Sequence, residues 1–186
     1  MTKTKLLLLT TLGLALSLSG CSQETPDPVT SETYEACCGA EPVEYTFGDA
    51  RMYVPNVFTP NGDGVNDLFY PFVNDSVLAI DVFLIYTPVG DTLMFDRPGF
   101  DYNNLGSYAW NGRRYDGSQH KGPFKYFVSF ILKDGLHEVE GRACSIVCGP
   151  EAAVFQTKEG CFYPVQSSAG GILNPTAPNF ESDCFK

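Results

Sequence analysis

Short apolar runs separated by turn-forming residues make up the chain from Tyr45 onward. After the first twenty residues, no apolar spacing approaches the 3.6-residue period of an amphipathic helix. The pattern predicts an all-β fold, an antiparallel immunoglobulin-like β-sandwich of about seven strands, with a small barrel as the alternative. The predicted strands are residues 51–58, 67–73, 77–86, 92–96, 107–110, 124–133 and 136–146, with a further strand at 152–157.

The sequence also predicts two hairpins, one strand covered on both faces and an irregular C-terminal extension. Gly90 with Asp91, and Asp134 with Gly135, stand between apolar runs at hairpin spacing. Residues 77–86 carry apolar side chains on both faces, so we expect this strand to be covered on both sides over part of its length. Residues 149–186 contain scattered Gly, Pro and Ser, which predicts an irregular C-terminal extension held to the rest by disulfides.

The start of the chain has the pattern of an export signal. Two lysines are followed by an apolar run over residues 6–18, which ends in Leu18, Ser19, Gly20 and Cys21. The run is shorter than the roughly 20 apolar residues of a membrane-spanning helix. Its ending resembles the lipobox of bacterial lipoproteins, which implies removal of residues 1–20 and acylation of Cys21. The alternative is an ordinary signal peptide with an accidental cysteine at this place.

Charge limits what the mature chain can bind. The full chain has 12 basic and 22 acidic side chains, and residues 1–20 contain two of the lysines and no acid. Such a chain is poorly suited to nucleic acid, whose phosphates require clustered Lys and Arg. Without a basic cluster, membrane attachment depends on the acyl chains at Cys21. Residues 21–44 predict the lipidated cysteine and a polar tether, and residues 45–148 a single β-sandwich domain.

Six cysteines follow Cys21, and an even number in an exported chain predicts a disulfide framework. Adjacent cysteines are poor partners because their Cα atoms are about 3.8 Å apart, and a disulfide prefers roughly 4.4–6.8 Å. At least two bridges should therefore connect the adjacent pair to later cysteines, and sequence leaves the pairing open. A zinc site is the alternative, without matching ligand spacing. The six are Cys37, Cys38, Cys144, Cys148, Cys161 and Cys184.

The stretch of residues 59–67, Thr-Pro-Asn-Gly-Asp-Gly-Val-Asn-Asp, overlaps the start of a calcium-binding loop. Thr59 stands where such a loop has its first Asp, and Tyr70 replaces the Glu at its twelfth place, which excludes a complete loop. A reduced calcium site using Asn61, Asp63 and Asp67 is one hypothesis. Consecutive turns with left-handed glycine backbone are the other explanation of the same residues.

The longer run of residues 54–69, Val-Pro-Asn-Val-Phe-Thr-Pro-Asn-Gly-Asp-Gly-Val-Asn-Asp-Leu-Phe, resembles the opening of a known family. That family is the gliding motility-associated C-terminal domain of Bacteroidota, the type B sorting domain of type IX secretion. Residues 80–86, 110–112 and 122–126 resemble later motifs in the same order. The resemblance implies a β-sandwich, a cell-surface or secretory context and no catalysis. Family members usually end with this domain, whereas residues 147–186 follow it here, so we expect a stand-alone lipoprotein and not a sorting signal.

Few residues are suited to catalysis. His120 and His137 lie in turn-like stretches and are expected to be exposed polar side chains. Paired cysteines would leave no thiol nucleophile. Aromatic residues around Trp110 and Tyr115 suggest rings that stack on sugars, with core filling as the alternative.

We therefore expect a non-enzymatic outer-membrane lipoprotein, lipid-anchored at the cell surface. Its expected role is an interaction or accessory subunit of a type IX secretion, gliding or adhesion assembly, with an outer-membrane or secretion-machinery protein as partner. The alternative role is surface glycan binding or host adhesion. The interaction role predicts an exposed apolar patch of several hundred Å². No cofactor is expected apart from the calcium of the hypothesis above.

Overall fold

The computed structural model describes residues 34–39 and 42–186 of the chain. The predicted signal peptide, Cys21 and most of the predicted tether lie outside the described residues. The described chain is mainly β-structure, with 37% strand and 13% helix, in agreement with the predicted all-β class. In chain order the strands are β1 Glu44–Phe47, β2 Ala50–Tyr53, β3 Val57–Phe58, β4 Phe72–Val73, β5 Ala79–Tyr86, β6 Leu93–Pro98, β7 Gly122–Leu132, β8 Gly135–Ser145, β9 Ser167–Ser168 and β10 Ile172–Leu173.

The strands form a large sheet and two smaller ones. The large sheet has the order β3-β8-β7-β5-β6, a second sheet has the order β1-β2-β4, and β9 pairs with β10. All neighbouring strands are antiparallel except β3, which runs parallel to β8 with Val57 opposite Cys144. Both predicted hairpins form, since Gly90 and Asp91 connect β5 to β6, and Asp134 lies between β7 and β8.

Two of the predicted strands are wrong. Residues 107–110 overlap a short α-helix, Leu105–Tyr108, which follows a 3₁₀ turn where the Asp101 side chain accepts a hydrogen bond from the Asn103 amide. Residues 152–157 lie mostly in the 3₁₀ helix Pro150–Gln156. Its Ala152 and Phe155 are buried, and that spacing of three residues places both on one face of a 3₁₀ helix.

The first core lies against the inner face of the large sheet and consists mainly of aromatic rings. Phe124 of β7 packs edge to face on both Phe69 and Trp110, with 4.8 Å between ring centroids in each pair. The Phe47 ring of β1 lies 5.3 Å from the Phe130 ring of β7. The second sheet therefore shares this core with the large sheet.

A second core lies on the opposite face of the large sheet, at the end formed by β3 and β8. Phe58 belongs to the first core, whereas its neighbour Val57 belongs to the second, because successive side chains of a strand point to opposite faces. Residues before β1 and after β8 supply the rest of the second core. These include Tyr34, Cys37, Ile146, Ala152, Phe155, Tyr163, Cys184 and Phe185.

Three disulfides connect these outer segments. Cys37 pairs with Cys144, Cys38 with Cys161, and Cys148 with Cys184. The expectation that the adjacent cysteines bond to later ones, and not to each other, is confirmed. The zinc alternative is wrong for these residues, because a sulfur in a disulfide is no longer the thiolate that binds zinc.

Candidate interaction surface

The stretch of residues 54–67 leaves β2, adds β3 to the large sheet and then turns. Gly62 (φ +85°), Gly64 (φ +90°) and Asn66 (φ +51°) have left-handed backbone, which glycine adopts freely and asparagine more readily than most residues. The carboxylate of Asp67 accepts hydrogen bonds from the amides of Gly62 (2.6 Å) and Gly64 (2.7 Å). Asp63 accepts one from the amide two residues later (2.8 Å). Turn geometry therefore accounts for most of the unusual composition.

The same side chains are the predicted calcium ligands. Asn61 Nδ2 donates to Asp63 Oδ2 at 2.8 Å, and both carboxylates already accept backbone amides. Within residues 34–39 and 42–186, no group of three or more His, Cys, Asp or Glu is arranged to hold a metal ion. Calcium would have to displace hydrogen bonds that hold the turn, so binding by Asn61, Asp63 and Asp67 stays a prediction.

Two asparagines of this stretch bind the backbone of the C-terminal segment. Asn56 accepts from the Phe162 amide at 2.7 Å and donates to the Gly160 carbonyl at 2.8 Å. Asn66 accepts from the Val165 amide at 2.9 Å. Because each amide side chain satisfies backbone groups of an irregular segment, the segment is held in one position without regular secondary structure.

A buried acid of the C-terminal segment inserts into the same loop. Glu181 is only 1% exposed, and its Oε1 accepts hydrogen bonds from Thr59 Oγ1 and from Asn66 Nδ2. Its other oxygen, Oε2, and the hydroxyl of Tyr163 are buried and have no hydrogen-bond partner in the described part of the chain. Burial raises the pKa of Glu181, against the lowering effect of its two hydrogen bonds. The neutral acid is therefore favoured more than at an exposed position.

An open groove of about 640 Å³ lies between the loop and the C-terminal segment. Leu68 and Tyr70 line it from one side, and Pro164, Val165 and Phe180 from the other. Phe180 is 63% exposed and has a φ of +60°. Left-handed backbone costs a residue with a side chain about 1–2 kcal/mol. Because the Phe180 ring is mostly exposed, its burial does not offset this cost. The flanking Asn179 and Glu181 are both hydrogen-bonded to Asn66 of the loop, and these bonds hold an exposed aromatic ring at the rim of an apolar groove.

The structure places the predicted aromatic site partly inside the protein. Trp110 is 0% exposed, and its Nε1 donates to the Arg113 carbonyl at 2.7 Å. Its ring has no free face for a sugar, so the stacking role is wrong for Trp110, which fills the core. Tyr115 is 61% exposed and donates a hydrogen bond to Asp96; a binding role for Tyr115 stays a prediction.

The expectation of an exposed His120 is also wrong. His120 is 4% exposed and lies against the rings of Trp110 and Phe124. Arg114 donates to its Nδ1 at 3.0 Å, so the proton is on Nε2, which donates to the Pro123 carbonyl at 2.8 Å. Burial lowers the pKa of His120, which favours the neutral ring. Both ring nitrogens are engaged in structural hydrogen bonds.

The residues that form this surface were not predicted from the sequence. Glu181 and Phe180 lie in a segment without periodicity, and the hydrogen bonds of Glu181 to the loop span more than a hundred residues of chain. Asn66 is the residue with a local sequence signal, because asparagine after a glycine-rich turn indicates left-handed backbone. Its partners on the C-terminal segment are the Val165 amide, the Asn179 carbonyl and the Glu181 carboxylate, and no sequence pattern marks them.

Comparisons with known proteins identify no relative of this chain. No family model, no curated protein and no solved structure matches it. In the part of the chain that the structure describes, no helix is both long and apolar enough to cross a membrane. The function is therefore inferred from the sequence motifs and from the geometry of the groove.

Proposed function

We propose that the protein is a non-enzymatic outer-membrane lipoprotein, displayed at the cell surface and anchored through acyl chains on Cys21. It acts as an interaction or accessory subunit of a type IX secretion, gliding or adhesion assembly. The observation that carries this proposal is the apolar groove with Phe180 held exposed at its rim. Exposed apolar surface beside polar residues is typical of protein-binding sites, and aromatic anchors dominate binding energy at such sites.

The cysteines and histidines are the residue types most often used in catalysis, and here they have structural roles. This favours a binding role over an enzymatic one. The six cysteines after Cys21 are oxidised to disulfides, and both nitrogens of His120 are engaged in hydrogen bonds. His137 is hydrogen-bonded to Asp134 in the β7–β8 hairpin, with 2.9 Å between Nε2 and Oδ1. Each of these groups therefore has a structural role.

We also propose that the two larger sheets form an immunoglobulin-like sandwich over residues 45–148. Support comes from contacts that cross between them. Tyr45 of β1 and Tyr126 of β7 share a hydrogen bond of 2.9 Å between their hydroxyls, and Tyr45 also donates to the Glu140 carbonyl at 3.2 Å. The parallel pairing of β3 with β8 is the one departure from an antiparallel sandwich among the described strands.

The groove proposal is tested by cross-linking and affinity purification from native membranes. Wild-type chain is compared with Phe180→Ser and with the control Val89→Ser, which removes an 85% exposed apolar side chain in the β5–β6 turn. A stoichiometric outer-membrane or secretion partner should be recovered with wild type and the control, and lost with Phe180→Ser. Equal recovery with all three chains would contradict the groove as the docking site.

The anchor is tested separately by metabolic labelling with a fatty acid. Wild-type chain should be labelled and recovered in the outer membrane, whereas Cys21→Ser should be unlabelled and absent from that fraction. Labelling that persists in Cys21→Ser would contradict acylation at this residue.

Glycan binding is the second candidate, and the exposed ring of Tyr115 favours it. A glycan-binding chain should be retained on a glycan array or cell-surface polysaccharide, and Tyr115→Ala should lose retention while keeping the partner recovered through the groove. Retention unchanged by Tyr115→Ala would contradict a role for this ring.

A further inference from the structure

Aromatic rings form much of the groove beside Phe180. Tyr70 and Phe72 line it and pack against each other, with 4.3 Å between their ring centroids. Both rings are half-buried, so each keeps part of its surface open to a ligand. Phe180 and Pro164 line the groove from the C-terminal segment. Rings of this kind present a large apolar contact area to whatever lies between them.

The hydroxyl of Tyr70 is free to bind a ligand. It makes no hydrogen bond in the described part of the chain and is not buried. The neighbouring Tyr102, whose ring centroid is 6.4 Å away, differs because its hydroxyl donates to the Pro71 carbonyl at 2.9 Å. Burial of the Tyr70 ring raises the pKa of its hydroxyl, so the hydroxyl keeps its proton. The groove therefore offers a hydrogen-bond donor that suits a carbonyl of the ligand.

The charge beside the groove is negative. Asp67 lines the groove, where no basic residue of the described chain does, and Asp63 is exposed in the same loop. Neither acid is in an ion pair of the described residues, and both add to the effect of burial in raising the pKa of Glu181. Arg113 borders an adjoining pocket with Asp67, but its guanidinium donates to the Gly117 carbonyl at 2.9 Å. A Lys or Arg of the partner would therefore meet complementary charge here.

The backbone around the groove gives a partner strand little to pair with. A partner that adds a strand needs a row of unpaired amides and carbonyls. β4 has only two residues, Phe69 exchanges both of its backbone hydrogen bonds with Trp110, and the Val165 amide is bonded to Asn66. Recognition therefore depends on side chains, and aromatic-lined grooves bind proline-rich segments in this way.

A proline-rich segment also matches the free hydroxyl. Its polyproline II conformation has no internal hydrogen bonds, so its carbonyls are free to accept one, and its extended backbone is formed before binding at little entropic cost. The carbonyls of a helical ligand are already bonded within the helix. The chain's own residues 22–33 contain two prolines, but their charged residues are all acidic, so Asp63 and Asp67 repel them.

We propose that the groove binds an extended proline-rich segment of the partner that carries a Lys or Arg beside its prolines. The prolines pack between Phe180 and the rings of Tyr70 and Phe72. A carbonyl of the segment accepts a hydrogen bond from the Tyr70 hydroxyl, and the basic side chain lies near Asp67. This partner chemistry rests on the proposed role of the groove in protein binding.

The test is a selection of displayed random peptides on the full chain in non-ionic detergent, with Phe180→Ser for counter-selection. Peptides that bind wild-type chain but not Phe180→Ser should be enriched in proline, with Lys or Arg beside it. The control Val89→Ser, which changes an exposed apolar residue of the β5–β6 turn, should bind the same peptides as wild type.

Fluorescence anisotropy of an enriched peptide then measures each contact. Tyr70→Phe removes only the hydroxyl and should weaken binding about three- to tenfold. Replacement of the basic residue of the peptide by Gln should weaken binding about two- to fivefold, and this difference should shrink at high salt. Replacement of its prolines by alanine should have the largest effect, because it removes the ring contacts and the preformed backbone.

The outcomes separate this partner chemistry from the role of the groove itself. Phe180-dependent peptides that lack proline, that carry acidic in place of basic residues, or that have the apolar spacing of an amphipathic helix would overturn the proline-rich partner and leave the groove as a protein-binding site. Equal affinity of wild type and Tyr70→Phe would overturn the hydroxyl contact. If no selected peptide depends on Phe180, both the partner chemistry and the groove as a docking site are wrong.

Discussion

The two cores of this molecule are stabilised in different ways. In the first, rings from several elements surround Phe124, including Phe58, Phe69 and Trp110. None of its residues is in a disulfide. The second core is smaller, and most of its residues belong to the N-terminal segment before β1 or to the irregular C-terminal segment after β8. All three disulfides of the described residues are located there.

The difference follows from how much apolar surface the strands and the C-terminal segment can each bury. Long strands that satisfy their own backbone hydrogen bonds leave their side chains free to stabilise the fold by apolar burial. The C-terminal segment has short 3₁₀ turns and few apolar residues, so little burial offsets the entropy of ordering it. Disulfides lower the entropy of the unfolded chain, and Asn56 and Asn66 satisfy backbone groups that the segment leaves unpaired.

Removal of a disulfide should have the largest effect and should weaken the second core selectively. Replacement of Cys37, Cys38, Cys144 and Cys161 by Ser removes both bridges of the adjacent cysteines and opens a loop with a sequence separation of 123, which corresponds to at least about 5 kcal/mol of unfolding free energy. The double replacement of Cys148 and Cys184, with a separation of 36, should cost about 4 kcal/mol. Denaturant titration measures both, and a cost below about 1 kcal/mol for either replacement would contradict the role of disulfides here.

The same large-to-small substitution in each core sharpens the contrast. Phe124→Ala should cost about 4–5 kcal/mol, because it leaves a cavity among several rings. Phe155→Ala should cost about 3 kcal/mol, the low end for such a change, since among the rings of the described residues it contacts those of Tyr34 and Phe185 and lies in an irregular segment that can close around the space. Urea titrations of both variants provide the comparison, and equal costs would show that the two cores pack alike.

The smallest expected effect concerns pH and the buried acid of the second region. The pKa of Glu181 is raised in the folded chain, so its stabilising contribution is complete below the unfolded pKa and declines as pH rises through the folded one. Glu181→Gln does not ionise and should therefore lose less stability than wild type between pH 4 and pH 8. Thermal unfolding at both pH values measures this difference.

A control separates this effect from other titrating groups. The pKa values of Asp116, Asp134 and Asp183 are lowered by hydrogen bonds, which gives the opposite pH dependence, but they are present in both chains and cancel. Glu151→Gln changes an exposed acid of the same region and should retain the wild-type pH dependence. If Glu181→Gln also retains it, the buried acid is ionised in the folded chain without cost.

The first region was largely predictable from sequence, and the second was not. β5, β7 and β8 lie within two residues of the predicted segments, because each is next to a turn signal, Gly90 with Asp91 or Asp134 with Gly135, and β5 and β7 are also strongly apolar. β1 was missed although its residues Glu44–Phe47 alternate between polar and aromatic side chains, because a run of only four residues is a short signal. The predicted strand at 51–58 divides at Pro55, whose missing amide donor interrupts pairing.

The unusual composition of the loop of residues 54–67 was recognised from the sequence. The sequence predicts its turns, but not its contacts with the C-terminal segment. Its turns follow from Asn61, Gly62, Asp63 and Gly64, whose preferences are local. Its role in holding Glu181 and the Phe162 backbone depends on tertiary contacts across more than a hundred residues, which no local pattern encodes. Sequence also left the disulfide pairing open, since only the fold brings Cys38 to Cys161.

Hydrogen exchange with mass spectrometry, before and after mild reduction, tests most directly whether the C-terminal segment is docked on the loop and held there by disulfides. In the oxidised chain, the amides of Phe162, Val165 and Gly64 should be protected along with those of β7 and β8. After reduction, protection should be lost at Phe162 and Val165 and retained in β7 and β8. Absence of protection at Phe162 and Val165 in the oxidised chain, or loss of both regions together, would contradict this account.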